Sequence, residues 1–144
     1  MRIPNDNIPQ LPGWIVDHMR RYVETNGSEG HIWNGVPTLL LTTTGRRSHR
    51  PQMLPLIYGK DGEVLLIVAS KGGAPAHPSW YLNLCAEPRV TVQVGSDKFD
   101  AIARTASDEE RRRWWPMMVK IWPAYDDYQA KTDRAIPVVA LERA

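Results

Sequence analysis

Along the chain, segments of helical periodicity are interleaved with segments that read as strands. In PGWIVDHMRRYVETNG, Trp14, Ile15, Met19, Tyr22 and Val23 recur near helical spacing, and Gly27 is the expected stop. VPTLLLTT has almost no polar alternation, which predicts a strand buried on both faces or nearly so. QMLPLIYG is the next strand, with Pro55 marking an edge or a bulge. A GKDG turn joins it to EVLLIVAS in an expected hairpin. PSWYLNLCAE reads as a short helix opened by Pro78 and stopped before Pro88. RVTVQVG alternates clearly and pairs with DKFDAIART across a GSD turn. SDEERRRWWPMMVKIW begins with a capping box from Ser107 to Glu110, and Pro116 is expected to kink or split this helix. PAYDDYQAKTDR is a short helical or irregular connection, and AIPVVALE is a closing strand. Six strands with few long crossovers fit an antiparallel barrel with peripheral helices better than a βαβ fold.

The 144-residue length suits one core, so residues 31–144 are expected to form the barrel domain. Residues 1–30 are expected to form an N-terminal segment and helix that packs on the barrel or is mobile. The first twelve residues carry three prolines and are expected to run over the surface. The N-terminal helix sets Trp14, Ile15, Met19 and Tyr22 against Arg20 and Arg21, so peripheral contact with a membrane surface is its second reading. A net charge of +2 gives no argument for bulk nucleic-acid binding. The longest apolar run, VLLIVA, is too short to span a bilayer, and the N-terminus has no apolar signal core. A single cysteine, Cys85, excludes an internal disulfide framework and fits a reducing cytoplasm. His18, His31, His49 and His77 are scattered, and no ligand spacing suggests a metal.

Local charge changes this picture more than net charge does. From Gly30 to Lys60 there is no acid, while Arg46, Arg47, Arg50 and Lys60 are basic. From Val64 to Ala86 the only charged side chain is Lys71. TTTGRRS therefore leaves a buried strand with glycine, hydroxyls and arginines, a set suited to phosphate oxygens. ASKGG leaves another buried strand with hydroxyl, cation and glycines. Each could be an ordinary turn with solvated cations. Two such exits in one small barrel suggest a single elongated anionic ligand. Six tryptophans accompany one phenylalanine, and most are expected in the core. Trp122, Tyr125 and Tyr128, three residues apart, could wall a pocket for a planar ligand. The sequence carries no GxSxG, no HExxH and no convincing carboxylate pair, so a bound cofactor is expected to carry any chemistry.

LLLTTTGRRS, ASKGG, HPSWYLNL and YDDYQAKTDRAIPVV occur in this order, and together they resemble the deazaflavin-dependent nitroreductase family of actinobacteria over about residues 35–142. The resemblance implies a mainly β, split β-barrel fold of the FMN-binding, pyridoxamine-phosphate-oxidase-like type. It implies coenzyme F420, a deazaflavin with a phosphate and a polyglutamate tail. Its reduced form would donate a hydride to a small-molecule quinone, nitroaromatic or activated alkene. Carried over by motif, Arg46, Arg47 and Ser48 would meet the phosphate or tail, with Gln52 nearby. Leu54, Pro55, Leu56 and Ile57, together with Val68, Ala69, Ser70 and Lys71, would line the ring and phosphate. Gly72 and Gly73 would let the chain pass close to the cofactor, and Ser79, Trp80, Asn83 and Leu84 would complete its wall. Trp122, Tyr125 and Tyr128 would bind the acceptor, with Tyr125, Tyr128 and Ser70 the candidate catalytic residues. His49 stands where the family commonly has glycine, Gln52 where arginine is expected, and Ile57 and Trp122 where the nitroimidazole-reducing branch has tyrosines. An FMN-binding oxidoreductase and a non-catalytic F420 or quinone carrier are the alternatives. Both a monomer and a homodimer are compatible with the resemblance.

Overall fold

The computed structural model describes residues 11–144, so the expected surface course of the first residues lies largely outside the described part. The elements in chain order are α1 (Gly13–Glu24), β1 (Ile32–Trp33), β2 (Val36–Thr44), β3 (Pro51–Ile57), β4 (Gly59–Asp61) and β5 (Val64–Val68). A 3-10 turn at Lys71–Gly73 leads to α2 (Ser79–Ala86), β6 (Arg89–Val94), β7 (Asp97–Thr105), α3 (Asp108–Ile121), α4 (Ala124–Ala130) and β8 (Val138–Arg143). All strand pairings are antiparallel. The sheet runs β2-β6-β7-β8-β5-β4, with β1 and β3 also paired to β2.

The expected hairpin between QMLPLIYG and EVLLIVAS does not form. β3 pairs with β2 along its whole length, from Thr44 opposite Pro51 to Thr38 opposite Ile57, and only Gly59–Asp61 folds back on β5. The physical reason lies in β2, which is buried along most of its length and bonded on both edges. β3 satisfies one of those edges and is itself laddered on one side only, where Pro55 is tolerated. Between β3 and β4 stands the single residue Tyr58. The chain therefore steps from one end of the sheet to the other through Tyr58, and the sheet must curl to bring its ends together. The Tyr58 ring is buried in the interior, and its hydroxyl lies 2.8 Å from His31 Nε2.

Alternate side chains of the strands fill the barrel interior: Leu39 and Leu41, Leu65 and Ile67, Val90 and Val92, Ala101 and Ala103, Val139 and Leu141. The outer faces are covered at two places. α1 lays Met19, Tyr22 and Val23 on Leu40 and Met53. α3 and α4 lay Trp114, Met118 and Tyr125 on Leu66, Val68, Val138 and Ala140. α1 is also held by a buried hydrogen-bond junction. The Tyr22 hydroxyl donates toward the Thr38 and Gln93 carbonyls at 3.0 and 3.2 Å and accepts from the Gly95 N–H at 2.8 Å.

The capping box forms as expected, with Ser107 Oγ accepting from the Glu110 N–H and the Glu110 side chain reaching back. α3 then continues through Pro116 without splitting, and the break falls at Trp122–Pro123. Pro116 and Arg112, whose carbonyl loses its helical partner, both sit on the exposed side, while Trp114 and Met118 bury the opposite face. Among the described residues, no helix is long and apolar enough to cross a membrane.

Candidate active site

The turn after β2 is organised around Asn83, which is buried on α2. Asn83 Oδ1 accepts from the Arg46 backbone N–H at 3.2 Å and from Arg46 Nη1 at 2.9 Å. Asn83 Nδ2 donates to Gln52 Oε1 at 2.9 Å and to Thr43 Oγ1 at 3.2 Å. Gln52 thus supplies an acceptor that an arginine could not, and it fixes which way the Asn83 amide faces. Arg46 Nη1 also reaches the Ser79 carbonyl at 3.4 Å, so this guanidinium docks on the start of α2. The turn closes with Gly45 N–H on the Arg50 carbonyl and His49 N–H on the Gly45 carbonyl. His49 sits at φ 59°, in the left-handed region. That geometry explains why glycine suits the position; histidine occupies it at a steric cost. Arg47 and Arg50 are exposed, and their side chains have no ion pair or hydrogen bond among the described residues.

The exit from β5 is a run of left-handed residues: Lys71 at φ 46°, Gly72 at 61° and Gly73 at 82°. A Cβ on Gly73 would lie 2.5 Å from the Tyr128 carbonyl oxygen, so only glycine lets α4 approach here. Arg134 fastens the loop from behind. Its Nη2 donates to the Ser70 carbonyl at 2.7 Å, its Nε to the Ala74 carbonyl at 2.8 Å, and its Nη1 to the Ala69 carbonyl at 3.2 Å. His77 Nδ1 lies 3.1 Å from the same Nη1, and burial first, then the Arg134 charge, lowers the His77 pKa. Sequence reasoning singled out Lys71 and the glycines but not Arg134. That residue lies more than sixty positions along the chain from Ser70, inside TDRAIPVV, and nothing local marks its partners. Lys71 itself is exposed and unpaired among the described residues.

Between the two helical covers lies a cleft of about 250 Å³. Pro55, Leu56 and Ile57 of β3 form one side, and Val68, Ser70 and Gly72 at the exit of β5 form another. Trp122, Tyr125 and Tyr128 close the wall toward α4. The rest of the lining, which sequence reasoning did not name residue by residue, is Trp14, Ile15 and His18 from α1, with Trp33 and Thr38. Trp14 stacks on Trp33 at 6.0 Å between ring centroids, and Trp33 meets Trp122 at 5.5 Å, so an indole series runs from α1 to the end of α3. The Tyr125 ring stands edge-on to Tyr128 at 6.2 Å. Burial, then the neighbouring Tyr128, pushes the Tyr125 hydroxyl well above the usual tyrosine range, and it has no hydrogen-bond partner among the described residues.

The other expected site residues lie outside this lining. Ala69, Trp80 and Leu84 are buried in the barrel interior, and Leu54 packs against it. Arg46, Arg47, Ser48, Gln52 and Asn83 form the first exit and its anchor on α2, and Ser79 is exposed at the start of that helix. Lys71 and Gly73 flank the lining residue Gly72. The two exits share α2, since Arg46 is bound to it and the Lys71–Gly73 turn leads into it. Among the described residues, no group of three or more His, Cys, Asp or Glu could hold a metal ion.

A curled antiparallel sheet with an aromatic cleft outside the barrel and cations at two strand exits defines a split β-barrel of the pyridoxamine-phosphate-oxidase-like type. A Listeria innocua protein of the pyridoxamine 5'-phosphate oxidase type shares that fold, with a TM-score of 0.54 at 18% identity over 74% of this chain and 82% of its own. Within this class the chain belongs to the F420H(2)-dependent quinone reductase family, whose model matches residues 14–143. An F420H(2)-dependent quinone reductase of Mycobacterium tuberculosis is 42% identical over 130 residues, covering 88% of this chain and 87% of its own. The structure of an F420-H2 dependent reductase superposes with a TM-score of 0.69 at 46% identity, over 74% of this chain and 94% of its own. A domain-swapped dimer gives a TM-score of 0.72 at 41% identity, over 90% of this chain and 97% of its own.

Proposed function

We propose that this protein is an F420H2-dependent reductase that uses the cleft to bring a quinone against the reduced cofactor. The observation that carries the reading is the pairing of one aromatic and aliphatic cleft with two strand exits, each bearing a cation without a partner among the described residues. The residues fit the cofactor's chemistry. Among the described residues, Arg47, Arg50 and Lys71 are unpaired, and Gly72 has no atom within 4 Å of where a Cβ would stand. When bound, reduced F420 would supply a hydride to the acceptor.

The chain's own residues would do the rest. Arg47 and Lys71 would hold the phosphate and acidic tail, with Arg46 fixing the turn that carries Arg47. Pro55, Leu56, Ile57 and Val68 would give the ring an apolar face, and Ser70 would offer a hydroxyl beside it. Trp122, Tyr125 and Tyr128 would wall the acceptor side of the cleft and exclude water, which would suppress side reactions. The Tyr125 hydroxyl would donate a hydrogen bond to the acceptor, but its burial makes it a reluctant acid. Ile57 and Trp122 leave the cleft without two hydroxyls that tyrosines would supply, which supports a quinone over a nitroimidazole.

A fluorescence titration with F420 and with FMN tests the cofactor. F420 should bind more tightly, and Arg47→Ala and Lys71→Ala should each weaken it by about tenfold at low salt, with the gap closing as salt rises. Tighter FMN binding would sink the reading, and F420 binding without quinone-dependent oxidation would make the protein a carrier.

Two finer points belong to the same proposal. Trp14 and Ile32 are 58% and 60% exposed beside the cleft, which supports peripheral contact with a membrane from the cytoplasmic side. The dimeric relative supports a homodimer as the assembly to look for.

A further inference from the structure

Reduction of a quinone needs a proton as well as a hydride, and among the described residues the cleft is lined by one histidine, His18. The half-buried imidazole is held in one orientation. His18 Nε2 lies 2.7 Å from the Gly30 carbonyl oxygen, which can only accept, so Nε2 carries a hydrogen and Nδ1 is the nitrogen left for other work. Thr38 Oγ1 donates to the same carbonyl at 2.6 Å and also lines the cleft. The close approach depends on a glycine, since a Cβ on Gly30, at φ 93°, would stand 3.0 Å from His18 Cδ2. His18 also lines a second, open groove of about 840 Å³ between α1 and the segment after it, with Asp17, Arg21, Glu29 and His31. One imidazole is therefore shared by the cleft and by a polar groove open to water.

We propose that His18 is the proton donor of the reaction, refilled from this groove; the assignment rests on the hydride-transfer reading above. The quinone gains an electron pair with the hydride, which forms its new bond to hydrogen. The His18 Nδ1–H bond breaks and an O–H bond forms at the quinone oxygen, giving the hydroquinone. The imidazole is left neutral with its Nε2–H still on the Gly30 carbonyl. Water in the groove returns a proton to Nδ1, and the proton released when the cofactor is oxidised goes to solvent, so the exchange balances. The charged and titratable groups around the ring are Tyr22, at 6.4 Å between ring centroids, Asp17 and Arg21 on α1, Glu29 and His31 on the segment after it, and Tyr125 and Tyr128 in the cleft.

The test is His18→Gln, whose amide N–H can keep the bond to Gly30. Two readouts are taken on the full chain, with folding checked by circular dichroism. In the cofactor-free protein, 2-methyl-1,4-naphthoquinone should shift the ring nitrogen resonances of His18 in the NMR spectrum, Nδ1 more than Nε2. With reduced F420, wild-type kcat should fall as pH rises through the histidine range. In His18→Gln this limb should disappear, kcat should drop by about a hundredfold, and F420 affinity should stay unchanged. Unshifted His18 resonances, or a variant that keeps the wild-type pH limb and kcat, would overturn the assignment. A wild-type protein that oxidises no reduced F420 with any quinone defeats the proposed function instead, and the NMR readout still judges the His18 contact.

Discussion

His49 and Tyr22 are two residues whose chemistry sequence inspection leaves ambiguous and whose backbone surroundings resolve it. At φ 59°, His49 occupies the left-handed corner of the β2–β3 turn. Its mismatch with the family pattern is thus a conformational matter, and no ligand contact is needed to explain it. His49→Gly should raise stability by about 0.5–1 kcal/mol, the steric relief exceeding the added chain entropy, as a higher urea midpoint at unchanged slope. Tyr22 looks like one more apolar position on a helix stripe, yet its hydroxyl joins α1 to β2 and to the β6–β7 turn. Tyr22→Phe should cost about 1–3 kcal/mol by leaving those backbone groups unpaired. Burial pushes the Tyr22 hydroxyl up to about 12 in the fold, from 10.0. The folded state therefore holds the neutral phenol more strongly than the unfolded chain does. That advantage is whole below pH 10 and is lost as pH rises through 12. Burial raises Tyr58, Tyr81 and Tyr125 as well, so alkaline unfolding curves should show this limb in the wild type and a smaller one in Tyr22→Phe.

At the scale of elements, the periodic segments were legible and their partners were not. The helix around Trp80, the capping box at Ser107 and the alternation of RVTVQV are local patterns, and each gives its element with small boundary shifts. The β3–β5 hairpin failed because β3 has a strand on either side in the chain and pairs with the preceding one, β2, which had two edges to satisfy. The same limit applies to the site. ASKGG could be read as a ligand loop from composition, but Arg134, which fastens three of its carbonyls, and Tyr128, which Gly73 lets near, come from elsewhere in the chain. Gly73→Ala should force α4 off this loop, because the backbone must stay left-handed and the new Cβ would meet the Tyr128 carbonyl. Quinone KM should rise by about tenfold or more, stability should fall by at least about 2 kcal/mol, and F420 affinity should change less than KM. An unchanged KM would mean that α4 does not wall the acceptor site.

On the scale of the whole molecule, curling the sheet through Tyr58 leaves the strand exits and the two helical covers around one cleft. α1 belongs to that cleft through Trp14, Ile15 and His18 while its other residues anchor it on the barrel. An element expected either to pack or to meet a membrane therefore has a packed face and an exposed end. If that end inserts, the protein should float with vesicles of anionic lipid, and Trp14→Ser with Ile32→Ser should abolish flotation without loss of F420 binding. Wild-type protein that stays at the bottom of the gradient would refute membrane contact.

The sequence by itself determined the barrel class, the helices, the two basic strand exits and the family resemblance. These depend on residue type and short-range order, which the chain carries openly. Tertiary structure alone decided that β3 belongs to β2, that Arg134 fixes the Ser70 loop, and that His18 faces the cleft where acceptor chemistry is proposed. The first is a choice between the two strands that flank β3 in the chain, and the other two are contacts between segments far apart in it, each set by which backbone groups and which apolar faces remained to be satisfied once the sheet had closed.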